Sequence, residues 1–427
     1  MVLLAVLLAL SSCASAPHPP AAARDRFPLD PREGLAGPFE ESIELGWRAL
    51  TAAQPERAGR EFDRTAHGPS RRAAAIGRIE ALVLADLPAD AVPLCGEALS
   101  DGEPTLPLLT ACGEAYAGAG ELPAAFPLYE RATARSPGRR GVAQRSEQLR
   151  GAATDALLSA AQRDALEGRR EVARVKVAQA LAWNPDTAEV LARAAEVECA
   201  AGEKERALGH YRDALAMGGV DQATEERAGD LALETGDYSM AVVVFEGLSA
   251  RDPRLRERAA EARLAFRIDN WPDAERQAAR ARRLTRAGAA QLTWWMFPEV
   301  REARVRSGIV ATDVLERRDS RVMMRAIALG LLDVDRETHR VRPDANLSRG
   351  GAAQLMLRVA VFLGKTDHAG DCLSHAGLAA YTGPDAIRLA TRCGLLSESG
   401  GTFVGGPEMT RGLDRLRSAI EEAASRD

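Results

Sequence analysis

The chain has 427 residues, of which 4% are aromatic and 27% are charged, and its formal net charge is −5. Because a nucleic-acid partner requires a basic face that neutralises phosphates, this balance argues against binding to DNA or RNA. A chain of this length exceeds one compact core, so two domains or an elongated repeat array are expected.

The first thirteen residues predict export. Residues 2–10 form an apolar run that is too short to span a bilayer and fits the central part of a secretory signal. The sequence Leu10-Ser11-Ser12-Cys13 resembles a bacterial lipobox. That resemblance implies lipidation at Cys13 and, because Ala14 follows, sorting to the periplasmic face of the outer membrane. A plain cleaved signal is the alternative.

Residues 14–38 are rich in proline and poor in large apolar side chains. Such a composition favours extended, polyproline-like conformations and cannot bury a core. At roughly 3.1 Å per residue the segment would reach on the order of 80 Å. We therefore expect a flexible tether between the lipidated end and the folded part.

Residues 39–281 contain helix formers in units of constant length. Three units begin at Thr154, Ala188 and Gln222, each 34 residues after the last. Each unit has small residues at a helix crossing, a glycine at the turn and a larger side chain that fills the gap between units. The glycines are Gly168, Gly202 and Gly236, and the larger residues are Val177, Tyr211 and Phe245. This pattern resembles tetratricopeptide repeats (TPRs), which implies a helical solenoid that binds proteins or peptides on its concave face and carries no chemistry of its own. A generic alanine-rich helical bundle is the alternative.

A nine-residue string occurs twice in the C-terminal part. Residues 284–292 read LTRAGAAQL and residues 347–355 read LSRGGAAQL, and a weaker copy, MTRGLDRL, begins at Met409. A repeat of about 63 residues (347 − 284) is too long for a helical-pair solenoid. It indicates a second kind of repeated module, over residues 282–427, in which each copy begins a helix.

This module resembles S-layer homology (SLH) repeats. Ala311-Thr312-Asp313-Val314 is similar to the opening of an SLH unit, Gly330-Leu331-Leu332 and Gly394-Leu395-Leu396 to its glycine-led loop, and Val341 and Phe403 to the apolar loop residue before the arginine. The resemblance implies three units packed with pseudo-threefold symmetry and attachment to a cell-wall polymer. The predicted fold class is thus all-α, a TPR-type solenoid followed by a mostly α-helical SLH-like domain.

The repeated Thr/Ser-Arg pairs are the candidate anion-binding residues. Thr285, Ser348 and Thr410 are predicted to N-cap helices, whose free N–H groups and partial positive charge favour anions. The arginines that follow add planar donor forks suited to carboxylates; they are Arg286, Arg349 and Arg411. The alternative is that these pairs are only helix caps with solvated arginines.

Other chemistry is weakly indicated. His368, Asp371, Cys372 and His375 would share one helix face, but a metal site there needs a complete ligand set and a closed second shell, and the sequence identifies neither. The sequence therefore predicts no metal, no cofactor and no catalytic group. Disulfides are allowed in an exported protein, and two pairs could bridge: Cys95 with Cys112, and Cys372 with Cys393.

These features predict a non-enzymatic cell-envelope lipoprotein that scaffolds protein partners and attaches non-covalently to cell-wall polysaccharide or peptidoglycan. The alternative is an outer-membrane adaptor of an export or assembly machine, in which the repeats bind proteins and the C-terminal units only cap the solenoid.

Overall fold

The computed structural model describes residues 27–65, 70–305, 310–363, 382–398 and 400–424. Within these ranges the regular elements are helices, joined by two isolated β-bridges, so the predicted all-α class is confirmed. The chain forms two compact units, one up to Thr224 and one from Glu225 onward.

The first unit is a run of helices joined by short turns. In chain order they are α1 (Glu41–Thr51), α2 (Pro55–Asp63), α3 (Arg71–Leu84), α4 (Pro88–Ser100), α5 (Leu106–Gly118), α6 (Leu122–Arg135), α7 (Arg140–Leu166), α8 (Arg170–Trp183), α9 (Ala188–Ala201) and α10 (Lys204–Met217), and α11 (Gln222–Thr235) crosses the boundary between the units.

The predicted 34-residue period is present in the backbone. Helices α8 and α10 begin 34 residues apart (204 − 170), as do α9 and α11 (222 − 188). The turn glycines adopt one left-handed conformation, with φ of +80° at Gly168, +83° at Gly202 and +85° at Gly236. Glycine suits this position because other residues pay a steric cost at positive φ.

The two helices of a repeat pack closely where a small residue on the first contacts a large residue 16 positions later on the second. A Cβ on Gly46 would lie 2.6 Å from the Phe62 ring, and one on Gly113 would lie 2.6 Å from the Tyr129 ring. Phe62 and Tyr129 are 1% and 0% exposed. The predicted packing of a small residue at the helix crossing against a larger one is therefore confirmed, because each ring occupies the space that a side chain would fill.

The first helices of successive repeats also contact one another: α1 packs on α3, α3 on α5, and α7 on α9. These first helices are here called the inner layer of the first unit. Helix α7 is one continuous helix of 27 residues, so the first helix of this repeat begins before the predicted unit start at Thr154.

The C-terminal part of the predicted tether is packed on the first repeats. Leu29 is 4% exposed and lies in the apolar cluster of Ile76 and Leu108. Glu33 forms an ion pair with Arg139, with an O–N distance of 2.7 Å. Apolar side chains at residues 27, 29 and 35 make this docking favourable. Residues 1–26, including the predicted signal and Cys13, lie outside the described residues.

A disulfide joins two neighbouring helices of the first unit. Cys95 in α4 and Cys112 in α5 are bonded, with a Cα–Cα distance of 5.5 Å. The first of the two pairs left open by the sequence is therefore a bridge. Cys372, of the second pair, lies outside the described residues.

The second unit continues with two helical pairs and then three longer modules. Its helices after α11 are α12 (Tyr238–Arg251), α13 (Arg256–Asp269), α14 (Asp273–Arg280), α15 (Arg286–Met296), α16 (Pro298–Glu302), α17 (Ser320–Ala328), α18 (Arg349–Phe362), α19 (Gly383–Arg392) and α20 (Gly406–Ala424). Three of these, α15, α18 and α20, are inner helices, and α14, α17 and α19 precede them as outer helices.

The three modules are linked in a cycle. Leu347 donates its backbone N–H to Leu284 (2.7 Å), Leu284 donates to Val404 (2.9 Å), and Val404 donates to Leu347 (3.1 Å). Each outer helix packs on the inner helix of the preceding module: α17 on α15, α19 on α18, and α14 on α20. The first two repeated strings and the segment at Val404 thus mark a pseudo-threefold arrangement.

The division between the units differs from the predicted boundary at residues 281/282. Helix α14 contacts both α15 and α20, and Arg267 of α13 forms an ion pair with Asp414 of α20. The last helical pairs therefore belong to the compact unit that holds the three modules, because α14 serves as the outer helix of the first one.

Candidate functional site

The first two repeated strings begin helices in the predicted way. The hydroxyl of Thr285 accepts a hydrogen bond from the Gly288 N–H at 3.0 Å, and that of Ser348 accepts from the Gly351 N–H at 3.1 Å. Both are therefore N-caps. A Cβ on Gly288 would lie 2.8 Å from a methyl group of Leu284, which explains glycine at this position.

Thr410 is not an N-cap. Helix α20 begins at Gly406, and the buried Thr410 hydroxyl donates to the Gly406 carbonyl at 2.8 Å inside the helix. The cycle of hydrogen bonds places Val404, and not Met409, at the position of Leu284 and Leu347. The helix begins early because Gly406 permits a close approach: a Cβ there would lie 2.0 Å from the Ala278 carbonyl oxygen.

Gly405 and Gly406 therefore occupy the third Thr-Arg position, and the third module has no arginine there. The same register shows that the predicted equivalence of Val341 and Phe403 is wrong. Ser348 forms an isolated β-bridge with Phe403, as Thr285 does with Asn346. Phe403 is therefore the counterpart of Asn346 and not of Val341. Phe403 is 42% exposed, whereas Val341 is 2% exposed and buried in the core.

Arg286 lies half-buried in the groove between the first and second modules. Its Nη2 donates to the Asp333 carbonyl at 2.8 Å, and its Nε is buried without a hydrogen-bond partner in the described structure. Burial lowers the pKa of Arg286, and the charges of Arg358 and Arg342 lower it further, while Asp333 and Asp313 oppose this effect.

The two carboxylates that act on Arg286 are already engaged. Asp313 accepts hydrogen bonds from the backbone N–H groups of Val341 at 3.0 Å and Arg342 at 2.8 Å. Asp333 pairs with Arg358 at 2.9 Å. Asp335 is a third carboxylate nearby, whose pKa is lowered by hydrogen bonds from Thr338 and also by the charge of Arg342. What would favour a carboxylate or phosphate ligand here is therefore the planar donor set of the Arg286 guanidinium.

The backbone at the start of α15 is not available to a ligand. The Arg286 N–H donates to the Ala345 carbonyl at 3.0 Å, and the Ala287 N–H donates to that of Pro343 at 2.9 Å. The expectation of free N–H groups at this helix start is therefore wrong, because the neighbouring module's loop accepts from them. Anion binding here depends on side chains.

Arg349 is enclosed by the third module. It is 8% exposed, its Nη1 lies 2.9 Å from Glu408 Oε1, and its Nη2 donates to the Ser397 carbonyl. Burial acts to raise the pKa of Glu408, but hydrogen bonds from Ser397 and Arg349 outweigh it and hold that pKa below its ordinary value. Arg349, which is the equivalent of Arg286 in the second module, is thus neutralised by Glu408.

Arg411 is exposed on α20, away from the helix start. It lines a cavity of about 390 Å³ between α13 and α20, together with Glu408 and Arg415. Arg415 pairs there with Glu257 at 2.8 Å. The structure therefore does not place the three predicted arginines in equivalent sites, and it adds Arg342 and Arg358 to the groove of Arg286. Their proximity depends on contacts between modules, which no local pattern signals.

Two further sequence features fall elsewhere. The candidate metal ligands His368, Asp371, Cys372 and His375 lie outside the described residues. Among the helices that the structure describes, none has the length and apolar character needed to cross a bilayer.

Comparison with known proteins gives likeness of fold only. No protein-family model and no curated protein sequence matches the chain. Solved structures that match include a tetratricopeptide repeat protein from Parabacteroides merdae (13% identity, 52% of this chain and 97% of that one, TM-score 0.23). They also include the TPR2AB domain of yeast Sti1 in complex with pHSP90 (15%, 52% and 97%, 0.23) and the TPR domain of P58(IPK) (14%, 90% and 98%, 0.27). At such TM-scores the repeat assignment rests on the helix geometry described above.

Proposed function

We propose that this chain is a non-enzymatic scaffold of the cell envelope, anchored by lipid at Cys13, whose helical repeats bind protein partners and whose C-terminal modules bind an anionic cell-wall polymer. The observation that carries the wall-binding part is the guanidinium of Arg286. It is half-buried, its Nε has no partner in the described structure, and Arg342 and Arg358 lie near enough to lower its pKa.

The proposed ligand group is a carboxylate or phosphate of the polymer. An anion here would accept from the guanidinium of Arg286, whose planar donors suit carboxylates and phosphates. The proposal centres on Arg286, with Arg342 and Arg358 as supporting residues. Thr285 and Ser348 cap helices, Arg349 holds the third module, and Thr410 and Arg411 lie outside this groove.

Co-sedimentation of the full chain with isolated cell-wall sacculi tests this site. We expect binding that weakens as salt increases, because the contact is ionic and partly exposed, and that drops at least about tenfold for Arg286→Ala, the loss of one charge-assisted hydrogen bond. Arg336→Ala, which removes an exposed arginine from the neighbouring loop, is the matched control. Equal binding by Arg286→Ala and wild type would refute the site.

The lipid anchor and the location are tested separately. A Cys13→Ser variant should move from the membrane fraction to the soluble fraction and lose the mass of the lipid. If the variant stays with the membrane, the anchor at Cys13 is wrong, while wall binding through Arg286 is unaffected.

A second candidate is an adaptor of an outer-membrane export or assembly machine. Two features of the third module favour this role. Its Glu408 neutralises Arg349 of the second module, and it has Gly406 at the position where the first two modules have arginine. In this role the C-terminal modules stabilise the repeats and bind no polymer, so wild-type protein would remain in the supernatant of the sedimentation assay.

A further inference from the structure

Residues 27–35, here called the docked segment, lie on the inner layer of the first unit. Leu29 is 4% exposed and shares an apolar cluster with Ile79 of α3 and Leu108 of α5. Gly34 lies against Thr105, which caps α5, since a Cβ there would be 3.5 Å from the Thr105 methyl group. The segment therefore covers the surface formed by α3, α5 and the start of α7, here called the inner groove.

The groove holds the segment through its main chain. The Leu29 N–H donates to Glu80 Oε1 at 3.0 Å, and this is a buried hydrogen bond. Glu80 is 0% exposed, and its Oε2 has no partner in the described structure. A buried carboxyl is costly unless it is hydrogen-bonded, and the partner it has here is a backbone amide. Any peptide residue except proline offers the same donor.

A charged contact fixes the other end of the segment. Both carboxylate oxygens of Glu33 accept from Nη2 of Arg139, at 2.8 and 2.7 Å. Arg139 immediately precedes α7. Between the two anchors the segment turns, with the Glu33 N–H donating to the Asp30 carbonyl at 3.0 Å. The contacts thus include an apolar side chain and, four residues later, a carboxylate, and Arg32 adds an ion pair with Glu44 of α1.

The repeats are also held together by contacts that do not involve this segment. Their helices are held by pairs such as Phe62 with Gly77 and Tyr129 with Gly113, and by the disulfide between Cys95 and Cys112. The docked segment contributes no helix to this framework. It occupies the inner layer in the manner of a bound peptide.

We propose, on the basis of the proposed binding of protein partners by the repeats, that the inner groove is a peptide-binding site and that residues 27–35 occupy it as an internal ligand. Its partner is a protein segment with an apolar side chain followed four residues later by a carboxylate. Such a partner displaces the docked segment. Because an internal ligand acts at an effective concentration of about millimolar, it raises the affinity that an external partner needs.

The test uses a fluorescent peptide with the sequence of residues 27–38 (FPLDPREGLAGP) and the full chain. We expect the peptide to bind Leu29→Asp at least about tenfold more tightly than wild type, because the variant releases its own segment and empties the groove. Leu166→Asp is the matched control, since Leu166 is 72% exposed, and it should behave as wild type.

A charge exchange tests the location of binding. Arg139→Glu should bind the unchanged peptide weakly and should bind a peptide carrying Glu33→Arg at least about tenfold better, because the ion pair is restored with reversed signs. The Glu33→Arg chain releases the segment without placing a charge in the core, and it replaces Leu29→Asp if that variant does not fold. Peptide binding that is equal for wild type and the folded releasing variants, or that ignores the exchange at residue 139, overturns the proposal.

Discussion

Arg349 Nη1 lies 2.9 Å from Glu408 Oε1. Glu408 also accepts from the Ser397 N–H at 3.0 Å and from the Ser397 hydroxyl at 2.7 Å. The arginine therefore ties α18 to the loop and first turn of the next module, and this repeated arginine is a structural residue.

Arg349→Ala should destabilise the second unit. The change leaves a partly buried carboxylate without its cation, and the expected loss of unfolding free energy is about 2–3 kcal/mol, below the range for fully buried pairs, because Glu408 keeps 19% of its side chain exposed. Urea denaturation measures this loss. Arg417→Ala, which breaks the exposed pair with Glu421 on the same helix, should cost at most about 0.5 kcal/mol. Equal effects of the two changes would contradict the structural role.

Gly406→Ala should be more harmful than an ordinary glycine substitution. Its Cβ would lie 2.0 Å from the Ala278 carbonyl oxygen and 2.6 Å from that of Ala279, so the backbone must shift, at a cost of about 1–3 kcal/mol. Gly247→Ala is the matched control, since a Cβ at Gly247 would meet nothing within 4 Å. Helix propensity should raise the stability of that variant by about 0.5–1 kcal/mol. Thermal unfolding distinguishes the two, and stabilisation by both would refute the close contact.

Glu80 should make stability depend on pH. Burial raises its pKa well above the ordinary value of 4.5, the Leu29 N–H opposes the shift, and Asp30 adds to it. A carboxyl with a raised folded-state pKa binds its proton more tightly when folded. The folded state therefore loses stability as pH rises from 4.5 toward the raised value.

Glu80→Gln removes that titration and keeps an acceptor for the Leu29 N–H. We expect the unfolding free energy of the variant, relative to wild type, to increase between pH 4 and pH 8 in urea denaturation experiments. A difference that stays constant over this interval would show that Glu80 does not titrate across it.

Local patterns were enough to predict the repeats and two of the three helix starts. The 34-residue period, the turn glycines at residues 168 and 202, and the caps at Thr285 and Ser348 depend on contacts within a few residues or between the paired helices of one repeat. Thr410-Arg411 shows the limit of this reasoning. Its sequence resembles a helix start, but the backbone of Gly406 fits against α14, more than 120 residues earlier (406 − 280), and α20 therefore begins before it.

The sequence by itself determined the helical class, the two kinds of repeat period, two of the three N-caps and the small residues at helix crossings. These follow from backbone conformation and side-chain size at neighbouring positions. Only the tertiary structure decided that Arg286 keeps a partnerless Nε while Arg349 is neutralised by Glu408, and that residues 27–35 dock on the inner layer. The physical reason is that charge balance and burial depend on which distant segments meet, and similar Thr/Ser-Arg starts enter different surroundings when the three modules close into a cycle.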